Sequence, residues 1–228
     1  LASNLTSIDT VTETEMKIDR RTMLTAGLAF AGGAALFRSR GVMAASASEN
    51  AAAAAPIQHL DDALLDVMKN AESLKFSGRY QKLEPILASV FDIPEMTRIA
   101  VGPTWNEFSE ADKSGMSDVF GRYMTTMYAA RFKSYGGENF NILDVKPRDN
   151  GKALVITKLT RTDQDPVDLS YLMHQDSGDW RATDVYYNGS ISQLAQLRSE
   201  FSGALRQGGA AKLKSVLENK IRDLQGGA

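Results

Sequence analysis

The feature that most constrains this chain lies between Phe140 and Tyr187. Four runs there are rich in β-branched and aromatic residues: Phe140–Val145, Ala153–Thr160, Val167–Met173 and Trp180–Tyr187. They are separated by Asp149-Asn150-Gly151, by Thr162-Asp163-Gln164-Asp165-Pro166 and by Asp176-Ser177-Gly178. Such links hold a tight turn and leave no room for a crossover helix, so each strand must pair antiparallel with the next. The chain therefore contains a four-stranded meander, and whatever flanks it has to cover at least one face of that sheet.

The flanks are helical. Leu60, Leu64, Leu65, Val67 and Met68 recur at helical spacing in a stretch ending near Lys75, and Ser77-Gly78 is expected to break it. Arg79–Phe91 carries a second pattern, with Asp92 as a cap for a short helix that ends at Gly102-Pro103. Ser109 caps a long helix whose first turn holds Glu110 and Asp112, where the helix dipole favours acids. Its wide apolar face runs from Met116 to Tyr135, and Gly136-Gly137 is expected to stop it. After the strands, Ile191–Arg206 and Ala210–Leu224 read as helices separated by Gly208-Gly209. The fold class is α+β: a four-stranded antiparallel sheet packed with helices from both ends of the chain.

Residues 16–47 have the order of a secretory signal. Lys17, Arg20 and Arg21 are basic, Leu24–Phe37 is apolar and rich in small residues, and Ala45-Ser46-Ala47 is a cleavage pattern. A membrane-crossing helix needs about 20 apolar residues, more than this run supplies. Arg20-Arg21-Thr22-Met23-Leu24 fits the twin-arginine export route, and an ordinary signal that begins with two arginines fits the same residues. Residues 1–15 are acidic and patternless, a disordered extension or a misplaced start. Residues 48–56 read as a low-complexity linker, and 57–228 as a single domain working outside the cytoplasm.

Little in the domain points to chemistry. After Ala47 there are 21 Lys and Arg against 24 Asp and Glu, without the basic excess that nucleic acid requires. Cysteine is absent, which excludes a thiol nucleophile or a thiolate metal site. The two histidines, His59 and His174, stand far apart in sequence and lack a partner at zinc-ligand spacing. No nucleophile elbow, phosphate loop or dinucleotide glycine pattern occurs. Neither an enzyme nor a cofactor is expected. What stands out is soft and apolar: Met116, Phe120, Tyr123, Met124, Met127, Tyr128 and Phe132 share one face of the long helix. Methionine suits surfaces that accommodate variable apolar ligands, but the same stripe is ordinary in a buried helix.

An ordered set of motifs resembles the MlaC family of periplasmic lipid carriers. In the first half these are Phe91-Asp92-Ile93-Pro94 with Met96, Val101-Gly102-Pro103-Thr104-Trp105, and Phe120 with Tyr128. In the second half they are Tyr171-Leu172-Met173, Trp180, Asp184, Gly189, Ser192, Arg198 and Phe201. Tyr135-Gly136-Gly137-Glu138 and Arg198-Ser199-Glu200-Phe201 look most like the hopanoid-associated branch, although Asn188 and Ser170 replace acids common in the family. The resemblance implies an apolar pocket between sheet and helices that takes the acyl chains of a phospholipid or hopanoid. It also implies exchange with an inner-membrane ABC complex and an outer-membrane lipoprotein or porin partner. A monomer is expected.

On that reading the long helix would line the pocket with Phe120, Met124, Met127, Tyr128 and Phe132. One parity of each inner strand would add Val155 and Thr157, then Leu169, Tyr171 and Met173, then Val185 and Tyr187, with Val101 and Trp105 closing one end. Trp180 and Phe201 are expected in the core. Arg131 would pair with a carboxylate such as Asp184, or sit by a lipid phosphate at the mouth. Two rival readings separate on the cavity. A protein-binding adaptor would have a filled core, and a hydrolase would place His59 or His174 with carboxylates inside the pocket.

Overall fold

A computed structural model describes residues 38–162 and 164–227. The readings made for residues 1–37 lie outside the described residues. The order is α1 (Arg38–Lys69), α2 (Ala71–Val90), α3 (Ile93–Val101), a 3-10 helix (Gly102–Glu107) and α4 (Glu110–Arg131). Then come β1 (Asn139–Arg148), β2 (Lys152–Arg161), β3 (Gln164–Asp176), β4 (Asp179–Tyr187), β5 (Ile191–Ser192) and α5 (Gln193–Gly226). The sheet is an antiparallel meander in sequence order, as the turn signals required. Two-residue β5 makes it five-stranded where four strands were expected.

The turns explain the pairing. Asn150 and Gly151 take φ of 60° and 65°, and Ser177 and Gly178 take 52° and 98°. Left-handed backbone at both central positions matches the twist of the flanking strands. Between β2 and β3 the pairing begins earlier than expected. β3 already pairs at Gln164, opposite Arg161, and Pro166 falls where the register slips. An irregularity tolerates proline because the ladder bond it cannot donate is missing there. Pro147 is tolerated for a related reason, since β1 is an edge strand.

Several helix boundaries differ from expectation. Residues 48–56 are not a linker: they lie within α1, and Ala53 is fully buried beside Ile57, Leu60 and Leu64. Alanine has high helix propensity, so a low-complexity alanine run propagates a helix when one face finds a surface to cover. The break after α1 comes at Asn70, whose amide donates to the Asp66 carbonyl at 2.8 Å, and again at Lys75, where φ is 52°. It does not come at Ser77-Gly78. Buried Arg79 spans that kink, with Nε donating to Ala129 O at 2.8 Å and Nη1 to Ala71 O at 3.3 Å. One guanidinium thereby satisfies carbonyls freed near the end of α4 and at the start of α2. The long helix ends at Arg131, short of Gly136-Gly137, and leaves Tyr135 exposed.

The caps are as the sequence indicated. Asp92 accepts from Glu95 N at 3.0 Å, and Ser109 Oγ accepts from Asp112 N at 3.1 Å. Gly208 and Gly209 kink α5 and let both halves bury apolar residues, Leu194 and Phe201 before the kink, Leu213 and Leu217 after it. The core lies between one face of the sheet and the helices. On β2 the buried residues are Ala153, Val155, Thr157 and Leu159, a strict period of two. Trp180 and Phe201 are buried, as expected.

Candidate functional site: an apolar pocket beneath the end of the long helix

Where α4 runs out, the helices part from the sheet and leave a cavity of about 460 Å³. Helix α1 contributes Leu64 and Met68, and the last turn of α4 contributes Met127, Tyr128 and Arg131. Phe132, Ser134 and Glu138 line it from the segment that follows α4. The sheet adds Phe140 from β1, Leu159 and Arg161 from β2, Gln164, Val167, Leu169 and Tyr171 from β3, and Val185 and Tyr187 from β4. Register explains the grouping. Phe140 pairs with Leu159, Leu159 with Val167, Leu169 with Tyr187, and Tyr171 with Val185. Same-parity residues cross the sheet side by side and form one apolar floor.

Aromatic rings shape the walls. Phe132 stands 5.6 Å from Tyr128 and 6.4 Å from Phe140, centroid to centroid. Phe91 lies 6.0 Å from Tyr128 and 6.5 Å from Tyr171, wedged between two lining rings. Phe91 also lines a second cavity of about 450 Å³ with Leu87, Ile93 and Pro94, so this one ring helps divide the two spaces.

Seven of the fourteen residues singled out in the sequence line this cavity: Met127, Tyr128, Phe132, Leu169, Tyr171, Val185 and Tyr187. The other seven lie elsewhere. Met124 and Phe120 are one and two turns deeper in α4 than Tyr128 and fully packed, Phe120 edge-on against Phe201 at 6.4 Å. Val155, Thr157 and Met173 share the chosen sheet face but are wholly buried in protein. Val101 is core, and Trp105 packs 5.8 Å from Phe108 in a segment that contacts α5. The chosen parity lies on the sheet face that meets the helices, and Val155, Thr157 and Met173 sit on it outside the cavity lining. Leu159 was within reach, being the next residue of the Val155–Thr157 parity. Leu64 and Met68 carried a helix-face signal that resembled ordinary core.

Arg131 does not pair with Asp184. Its Nη1 donates to the Tyr187 hydroxyl at 2.9 Å. Asp184 instead holds the start of α5, accepting from Val185 N at 2.8 Å, Leu194 N at 3.2 Å and Ser192 Oγ at 2.5 Å. A carboxylate there meets the positive end of the helix dipole.

The electrostatics of the interior keep it neutral. Burial, with the neighbouring Tyr187 phenol, pushes the Tyr128 phenol far up, and burial with Tyr128 nearby does the same to Tyr171. Asp61 lies one turn before Leu64, is 2 % exposed, and has no hydrogen-bond partner for Oδ1. Burial, reinforced by Asp62, pushes its carboxyl up to about 7. His174 Nε2 pairs with Asp92 at 2.8 Å, and neither histidine lines the cavity. Among the described residues no group of acids and histidines is placed to hold a metal ion. No helix among them is long and apolar enough to cross a membrane.

Fold and cavity define an α+β protein in which a meander sheet and flanking helices form a pocket lined by apolar side chains together with Arg131, Ser134, Glu138, Arg161 and Gln164. The MlaC protein family matches residues 58–219, and the chain belongs to that family. Among solved structures it is similar to the phospholipid-binding protein from Ralstonia solanacearum, which was solved in complex with a phospholipid. That likeness covers 75 % of this chain and 98 % of the other at 18 % identity, with a TM-score of 0.66, and establishes the shared fold. No curated protein matches the chain.

Proposed function

We propose that this protein is a soluble lipid carrier of the periplasm. The pocket beneath the end of α4 takes the acyl part of the lipid. The observation that carries this reading is the cavity of about 460 Å³, lined mainly by Leu, Met, Phe, Tyr and Val side chains. Apolar ligand sites are of this size, while an adaptor that binds only proteins has no use for an unfilled core. The phospholipid complex of the Ralstonia solanacearum protein, on the same fold, supports the choice of ligand.

The physical need is plain. Each CH₂ buried is worth about 0.8 kcal/mol, so exposing one long acyl chain to water costs on the order of 10 kcal/mol. A carrier that shields the chain lets it cross an aqueous compartment without any catalytic group. The lipid would be a phospholipid or a hopanoid, exchanged between an inner-membrane ABC complex and an outer-membrane lipoprotein or porin partner. The signal-like residues 16–47 support export to the compartment where such exchange occurs.

The test is to purify the protein from a lipid-containing host, extract it with organic solvent and analyse the extract by mass spectrometry. A phospholipid or hopanoid in near-stoichiometric amount is expected. Met127→Trp fills the cavity from the last turn of α4 and should lower lipid occupancy severalfold with the far-UV spectrum unchanged. A lipid-free extract, with no uptake from added vesicles, would sink the carrier reading and favour the adaptor.

A further inference from the structure

We infer that Arg131 and Arg161 form an anion-binding clamp at the pocket mouth that holds the phosphodiester of a lipid headgroup. Both side chains line the cavity, one from the last turn of α4 and one from the end of β2. Neither has an ion pair among the described residues. Arg131 spends one donor on the neutral Tyr187 hydroxyl. Arg161 Nε is shielded from solvent and has no partner among the described residues, which is unusual for a charged donor. Among the described residues Glu138 is the one acid lining the cavity, and it accepts from Gly136 N.

The surroundings have the same sign. A surface hollow that shares Met68 and Ser134 with the pocket adds Lys69, Lys75 and Lys133 against Glu72 alone. None of these three lysines is ion-paired among the described residues either. A guanidinium presents forked donors that match phosphate oxygens, and charge-assisted bonds of that kind are the stronger ones. Two such groups beside an apolar cavity fit a ligand with an anionic head and an apolar tail. A free phosphate or other small anion would satisfy the arginines alone, and only the lipid also fills the cavity below them.

This inference rests on the carrier reading and names the part of the lipid the protein grips. The full chain, stripped of lipid, is offered detergent micelles containing equal phosphatidylglycerol and diacylglycerol of the same acyl chains. The two differ by the phosphate and its glycerol. Lipid on the re-isolated protein is then quantified. The protein should favour phosphatidylglycerol by about tenfold, as expected for a charge-assisted contact. Arg131→Gln with Arg161→Gln should bring the ratio close to one while total occupancy persists, and the double lysine variant should restore part of the preference.

No preference in the parent protein, or an undiminished preference in the double glutamine variant, would overturn the clamp and leave the carrier reading intact. Uptake of neither lipid would count against the carrier reading itself. Phosphorus NMR with inorganic phosphate separates the sources. Phosphate binding that disappears in the glutamine variant, without any change in lipid preference, would assign the arginines to a free anion and refute the headgroup assignment. The lysine variants and circular dichroism show whether a lost preference reflects lost charge or lost structure.

Discussion

Asp61 is a carboxyl in an apolar interior with no hydrogen bond to Oδ1, on the helix face that carries Leu64 and Met68 to the pocket. Its folded pKa of about 7 stands well above the ordinary aspartate value of 3.8. Between those values the folded chain holds a proton that the unfolded chain has released. The stabilising contribution of the neutral acid is therefore complete below about pH 4 and falls as pH rises towards about 7, by on the order of 4 kcal/mol in total. Asp61→Asn removes that dependence. Urea denaturation should find the variant close to the parent near pH 4 and several kcal/mol more stable near pH 8. A stability difference that does not change with pH would show that Asp61 ionises freely in the fold. The sequence could not reveal this: Asp61 and Asp62 look alike in the chain, and only helix phase against the sheet buries one and exposes the other.

At the scale of the element, the junction between α3 and the 3-10 helix shows why two separated motifs belong together. Gly102 has φ of 73°, and a Cβ there would lie 2.7 Å from Arg198 Nε of α5. The glycine meets two demands, a left-handed turn that ends α3 and close approach of the α5 arginine. Gly102→Ala should destabilise the protein by about 2 kcal/mol, through the left-handed backbone and the displaced guanidinium. Chemical denaturation within about 0.5 kcal/mol of the parent would contradict this, since that is the range of inconsequential surface changes. The caps at Asp92 and Ser109 and the α5 kink at Gly208-Gly209 were legible because their causes are local: side-chain oxygens that reach a backbone N–H three residues on, and residues free to take unusual backbone angles. The kink at Lys75 was not legible, because no local preference puts a lysine at positive φ. Arg79 reaching across to α4 is among the contacts that hold the chain there.

At the scale of the whole molecule, Phe91 belongs to neither cavity alone. It is fully buried, touches Tyr128 and Tyr171 of one and itself lines the other. Removing the ring should open a path between spaces of about 460 and about 450 Å³. Phe91→Ala is expected to cost about 3–5 kcal/mol of stability. If the protein carries lipid, the acyl chains extracted from the variant should also shift to greater length. Phe91→Leu offers a milder version, with a smaller loss and a smaller shift. An unchanged chain-length profile in both would mean that the ring does not limit the pocket.

The sequence by itself determined the antiparallel meander, the helices on either side and most of the caps; which face each inner strand turns inward it left open. Meander, helices and caps are encoded by turn chemistry and by periods of 2 and 3.6 residues, which any window of the chain displays. It also carried enough ordered motifs to resemble the family to which the chain belongs. It did not determine where the interior is filled and where it is empty. Phe120 and Tyr128 lie on one helix face and are both buried, yet Phe120 meets Phe201 while Tyr128 lines a cavity. Periodicity records that a side chain leaves water; it does not record what the side chain meets. That depends on how far α4 extends before the chain turns into β1, on the spacing between helices and sheet, and on which distant side chain, such as Tyr187 for Arg131, arrives opposite. Only the tertiary structure fixes those distances, and they decided which half of the expected site became a pocket and which half became core.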